Sequence, residues 1–195
     1  MASTASNSGI DICARALVLI GAEPITSFDD ATTEALVAES LYEDVVRANL
    51  TQMRWRFATK QAELNRLTAL PTARFDSAYQ LPTDFLLANA LVVGTSLLEY
   101  EIYGDKIYTN VSESSSVVLD YIYRADETDW PSFFTLAMQY AMASVFAGSI
   151  ARDPSLIEMM ELKYDIHIRK ARSADSQQST ANKLVTSRFI TERRS

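Results

Sequence analysis

Two hydrophobic periods divide the chain. From Ser8 it reads S-G-I-D-I-C-A-R-A-L-V-L-I-G-A, with Ile10, Cys13, Ala14, Leu17 and Ile20 three and four residues apart. That spacing places them on one face of a helix, with Ser8 as its cap and Gly21 as its stop. A turn-rich stretch from Ala22 to Asp30 leads to a second helix marked by Ala35, Ala38, Tyr42, Val45, Val46, Asn49 and Met53, while Glu34, Glu39, Glu43, Asp44 and Arg47 form its solvated face. From about Phe57 to Tyr123 the helical period gives out, and Gly, Pro, Ser and Thr punctuate short strand-like pieces. The clearest is Tyr100-Glu-Ile-Tyr-Gly-Asp-Lys-Ile-Tyr108, in which Gly104-Asp105 supplies the positive backbone angles of a two-residue hairpin turn. Val117 to Tyr123 and Leu86 to Val93 read as further strands, with Leu81-Pro82-Thr83-Asp84 as a turn.

Asp129-Trp-Pro131 opens a third helix, Asp129 capping and Pro131 in the first turn, running to about Ala151. It is apolar nearly all round, which predicts enclosure on several sides. Ala137, Ala141, Ser144 and Gly148 form a small-residue stripe suited to close approach of another helix, within the chain in preference to between subunits. Asp153-Pro154 caps a fourth helix that turns Ile157, Met160, Tyr164, Ile168 and Ala171 inward and ends near Ser173. The short link makes the last two helices an antiparallel pair. The fold class expected is therefore α+β: a four-helix, bundle-like layer with an inserted small antiparallel β subdomain and an extended C-terminal tail. Its parts are 8–56 and 128–174 as the halves of the bundle, 57–127 as a separate β-rich lobe, and 175–195 as the tail.

Composition fits a chain with a buried core: 195 residues, 48% hydrophobic and 22% charged. One cysteine, Cys13, and one histidine, His167, preclude an intrachain disulfide and a Cys/His zinc site completed within one chain. The net charge of −7 argues against a surface that wraps nucleic acid, though not against one that nucleic acid slides past. Residues 1–9 lack the basic and apolar regions of a secretory signal, and no apolar run is expected to reach the roughly 18 residues of a membrane span. From Asp175 onward four Lys or Arg face two Asp or Glu, so the tail is more basic than the rest. It reads either as a frayed terminus or as a reaching arm that spans roughly 70 Å when extended. Phe189-Ile190, between Arg188 and Arg193-Arg194, would anchor such an arm by adding to a partner's sheet edge.

Candidate chemistry is sparse. The five glycines are isolated, so no phosphate loop forms. His167 sits among Tyr164, Ile166 and Ile168 as a packed helix histidine, and Cys13 falls in line with Ile10 and Leu17 as a small hydrophobe. Two acidic groups, Asp29-Asp30 and Asp126-Glu127-Asp129, are read first as caps complementing helix dipoles. The alternative reading is a cell-wall or capsule glycan hydrolase using paired carboxylates such as Asp126 and Asp129. No cofactor, metal site or catalytic residue is assigned.

Several segments in order carry a resemblance: I-C-A-R-A-L-V-L-I-G-A-E-P-I-T-S-F-D-D-A-T-T-E-A, then L-Y-E-D-V-V-R-A-N-L, R-W-R-F-A-T-K-Q-A-E-L, Y-Q-L-P-T-D-F and Y-E-I-Y-G-D-K-I-Y-T-N. From about residue 9 to residue 175 the chain resembles the tail adaptor family of short-tailed phages (podoviruses), also called tail tubular protein A or head-to-tail connector. The resemblance implies a noncatalytic structural protein of the virion tail, assembled in the host cytoplasm. Twelve copies would form a ring between the portal protein and the tail nozzle, and double-stranded DNA would pass through the lumen without specific binding. No membrane is involved. It further implies that the C-terminal segment embraces the portal, through Lys183, Leu184, Arg188, Phe189, Ile190, Arg193 and Arg194. The β lobe would face the nozzle and tail fibre, through Tyr100, Ile102, Tyr103, Asp105, Ile107 and Tyr108.

Overall fold

A computed structural model of the chain describes residues 8–69, 71–112 and 115–178. The fold is α+β. Among the described residues, helices α1 (Gly9–Leu19), α2 (Thr33–Thr51), α3 (Ser132–Phe146) and α4 (Pro154–Ser176) flank an insertion of seven strands. These are β1 (Thr59–Glu63), β2 (Ser77–Gln80), β3 (Phe85–Val93), β4 (Ser96–Leu98), β5 (Tyr100–Tyr103), β6 (Lys106–Thr109) and β7 (Val118–Tyr123).

Local chemistry places most helix ends. The Ser8 Oγ accepts the Asp11 N–H at 3.1 Å and the Asp11 carboxylate accepts the Ser8 N–H at 3.0 Å, a reciprocal cap on α1. Gly21, at φ +77°, turns the chain away beyond Leu19. Thr32 caps α2, which stops at Thr51, so Met53 packs on the core from the turn beyond rather than from the helix. Asp153 caps α4 by accepting the Ser155 and Leu156 N–H groups.

The start of α3 departs from expectation. Asp129 ends a separate 3-10 turn, Glu127–Asp129, and the helix cap is Pro131, whose carbonyl accepts the Phe134 N–H at 2.9 Å. The reason is steric: the residue before a proline is driven into extended backbone, and Trp130 at φ −73°, ψ 130° breaks the path from the 3-10 turn into the helix. At its other end α3 widens into a π-turn, Ala147–Ala151, closed by Arg152 in the left-handed region. Ser132–Ala151 also corrects the membrane-span expectation. Its 20 residues, interrupted by Thr135, Gln139 and Ser144, are long and apolar enough to cross a membrane by length and composition. Half of that stretch is buried, as α3 packs on α4, α1 and α2 at the centre of the helical layer. Ala137 and Ala141 of the small-residue stripe are buried there.

Trp55, Phe57, Phe134 and Trp130 close the helical core against the insertion, with ring centroids 4.8–5.8 Å apart between neighbours. Both indole N–H groups are satisfied, Trp55 by the Asn49 carbonyl and Trp130 by that of Ala125.

The insertion forms two antiparallel sheets, one ordered β1-β7-β3-β4 and one ordered β2-β6-β5. Strand β7 is buried on both faces: Ile122 joins the helical core, while Leu119 and Tyr121 join a second core with Tyr79, Leu91 and Ile107. Two register shifts in β3, between Phe85 and Leu87 and between Ala88 and Ala90, let Leu86 reach the helical core while Phe85, Ala88 and Leu91 serve the second. The β part is thus joined to the helices through β7 and β3.

Helix α4 extends past the expected end near Ser173, and Asp175, placed by sequence in the tail, is buried in it. Its carboxylate accepts the Arg56 N–H at 3.2–3.3 Å, and its carbonyl accepts the Arg56 Nε–H at 3.0 Å. Burial raises the Asp175 pKa above the ordinary 3.8, only partly offset by Arg56. The folded state therefore holds this proton more tightly than the unfolded chain, and stability from this group falls as pH rises through the raised value. At pH 7 Asp175→Asn, which keeps the acceptor and removes the charge, is expected to raise Tm. Asp175→Ala is expected to cost about 1–2 kcal/mol by stranding the Arg56 N–H. Parallel thermal melts of the two variants check the order.

Candidate functional site

Alternation in the three-stranded sheet sorts the hairpin residues onto two faces. Tyr79, Ile107 and Ile102 pair across the strands on one face, as do Ser77, Thr109 and Tyr100. Ile107 is fully buried in the second core and Tyr100 packs against it. Full burial closes Ile107 to a partner's side chain, whereas Tyr100 is half-buried. Ile102 shares their face but lies on the edge strand and stays 37% exposed.

The opposite face carries Ala78, Tyr108 and Glu101 in one row and Gln80, Lys106 and Tyr103 in the next. The segment before β2 folds over this face, and between them lies a cleft of about 410 Å³. Its lining includes Tyr103, Tyr108, Phe75, Arg74, Lys106 and Pro71. The three rings form a chain, Phe75 to Tyr108 at 6.0 Å and Tyr108 to Tyr103 at 5.5 Å, the latter edge-on. Of the expected docking residues, Tyr103 and Tyr108 meet here.

Hydrogen bonds hold the rim. Glu101 accepts the Tyr103 hydroxyl at 2.6 Å and pairs with Arg74 at 3.3 Å. That bond to Glu101 holds the Tyr103 phenol above its usual range. Arg74 also lies over the Phe75 ring, and its backbone takes φ +71°, a conformation uncommon outside glycine. In the turn, Gly104 alone adopts positive φ, so the expected pair of positive angles reduces to one. Asp105 instead braces the turn against β2: its carboxylate and carbonyl accept the Gln80 side-chain amide, and its carbonyl accepts the Leu81 N–H. The bond from Gln80 holds the Asp105 carboxyl below its usual range.

Sequence reasoning missed Phe75, Arg74 and Lys106. Lys106 stood inside the quoted hairpin, and period-two alternation from Tyr108 would have found it. Phe75 and Arg74 had no local signal, since a loop reaches this face only through the fold.

The other candidates lie elsewhere. His167 stacks on Tyr140 at 4.7 Å, and desolvation, with Lys170 and Lys163 nearby, lowers its pKa. Cys13 is buried, and desolvation pushes its thiol up to about 12. Asp30 accepts the Thr26 and Ser27 N–H groups in a tight loop, which lowers its pKa. Asp126 and Asp129 are exposed, whereas Glu127 accepts the Tyr42 hydroxyl at 2.9 Å and an Arg124 N–H at 2.6 Å. Among the described residues no group of three His, Cys, Asp or Glu is placed to hold a metal. Lys183, Leu184, Arg188, Phe189, Ile190, Arg193 and Arg194 lie outside the described residues.

The cleft brings together aromatic faces, an ammonium group and a guanidinium, with Glu101 bonded to two of its lining residues. No protein-family model and no curated protein sequence matches the chain.

Proposed function

We propose that the chain is a noncatalytic tail adaptor of a short-tailed phage. Twelve copies form a ring in the virion tail that joins the portal to the nozzle and prolongs the DNA channel. The observation that carries this reading is the ordered set of motifs from residue 9 to residue 175. Their distribution over the fold supports it. The opening motif makes α1 and the loop to α2; R-W-R-F-A-T-K-Q-A-E-L makes the passage into β1, where Trp55 and Phe57 plug the helical core; Y-Q-L-P-T-D-F links β2 to β3; and the last motif is the β5–β6 hairpin.

In this reading the helical layer builds the ring, the hairpin face meets the nozzle or a fibre, and the tail clasps the portal. Twelve copies at −7 each give the ring a charge that repels phosphate, so DNA passes without sticking.

The test is electron microscopy of the protein mixed with the portal from the same genome, beside a chain truncated after Gln178. Truncation there keeps α4 and the buried Asp175 intact. A twelvefold collar with the full chain, lost in the truncation, is the expected result. No collar with either overturns the connector role, and a collar that survives truncation overturns the clasp.

A further inference from the structure

Strand β5 is an edge: among the described residues it pairs with β6 on one side only. Folded proteins protect such edges with charge, because an unpaired row of N–H and C=O groups invites another strand. The one charge in β5, Glu101, is neutralised by Arg74 and hydrogen-bonded to Tyr103. Beside it the edge presents apolar surface: Ile102 is 37% exposed, Tyr103 49%, and Leu97 in the neighbouring β4 edge 76%. Next to this edge opens the aromatic cleft, of a size that takes a large side chain. Lys106 stands on its rim without an ion pair among the described residues, whereas the other lining cation, Arg74, is already paired with Glu101.

We infer that β5 and its cleft bind an extended, acidic segment of another protein by strand addition. The segment pairs its backbone with β5, seats one bulky apolar side chain against Tyr103, Tyr108 and Phe75, and sets a flanking carboxylate against Lys106. Main-chain pairing supplies affinity, while the cleft and Lys106 supply specificity. This deepens the connector reading, on which it rests for the partner being another virion protein. The peptide chemistry is tested without it.

The probe is a library of random dodecapeptides displayed and panned on the immobilised full-length chain. The expected consensus is a bulky apolar residue flanked by Asp or Glu. A synthetic consensus peptide should lose about tenfold or more in affinity with Tyr103→Ser or Lys106→Glu, and keep it with Glu158→Gln on α4. Tyr103 is exposed and Lys106 half-buried, and circular dichroism checks that each variant is folded. N-methylation of alternate peptide residues should abolish binding in one phase and spare it in the other, the mark of strand pairing. Hydrogen exchange should slow at β5 on binding.

Absence of a consensus, binding insensitive to both substitutions, or protection mapped to a helix would overturn the inference. So would concentration-dependent self-association that slows exchange at β5, which would make a second copy the occupant. A collar on the portal without peptide binding overturns this inference and leaves the connector role standing. Peptide binding without a collar does the reverse.

Discussion

Phe134→Ala is expected to destabilise the protein by about 4 kcal/mol and to lower Tm by roughly 8–16 °C. The ring is fully buried and lies 4.8–5.0 Å from the rings of Phe57, Trp55 and Trp130. Those partners come from two places outside α3: Trp55 and Phe57 from the passage between α2 and β1, and Trp130 from the turn before α3. Truncation opens a cavity whose walls cannot collapse, because both tryptophans are tied by their N–H groups to backbone carbonyls. Thermal and urea melts check the value. A loss under about 1 kcal/mol would mean that the cluster is not the keystone of the helical core. Phe134→Leu, which refills most of the volume, should recover more than half of the loss.

Replacement of Arg124 by methionine is the second large effect, expected at about 2–3 kcal/mol at pH 7. The guanidinium, 19% exposed, pairs with Glu43 at 3.0 Å and with Glu127 at 2.6 Å, and lies 5.7 Å from the Trp130 ring. Methionine keeps much of the packing and leaves two carboxylates facing each other. Glu43 is 45% exposed, so solvent screens part of the repulsion and the cost falls below that of a fully buried pair. The pH dependence distinguishes this charge effect from lost packing. Desolvation alone would raise the Glu43 pKa, but hydrogen bonds from Arg124 and Arg47 hold it below the ordinary 4.5. The stabilisation is therefore present above that value and lost as pH falls through the lower, folded value. The deficit of Arg124→Met relative to the parent chain should accordingly shrink in acid, as the Glu43 carboxylate takes up a proton. Adding Glu127→Gln should restore part of the stability at pH 7, since glutamine still accepts the Tyr42 hydroxyl. A deficit that is constant with pH would point to packing alone.

The same cluster bears on the glycan-hydrolase alternative. The two acids named for it, Asp126 and Asp129, are both exposed, while Glu127 between them is bound into a cross-link between α2 and the turn before α3. Glu43 and Arg124 are separated by 81 residues, so no reading of neighbours along the chain brings them together.

Elements whose chemistry is local were legible. The Ser8 cap, the Gly21 stop, the Asp153-Pro154 start and the Gly104 turn each depend on groups within a few residues, and each is found where spacing placed it. Strands β1, β2 and β4 were not individually legible. They are short, and their partners β7, β6 and β3 are what make them strands. Asp175 looked like the beginning of a polar tail because its partner, the Arg56 N–H, lies 119 residues away.

By itself, then, the sequence determined an α+β chain of four helices around a strand-rich insertion. It also determined that Cys13 and His167 lie along helices and that the hairpin turns at Gly104. Helix period, capping and turn geometry are set by interactions over one to four residues, so they can be read from spacing. Only the tertiary structure decided that Ile107 and Tyr100 face a core while Tyr103 and Tyr108 join Phe75, Arg74 and Lys106 in a cleft. Which face of a strand is covered depends on strand pairing and on the loop that crosses it, and these are set by burial between residues far apart in the chain.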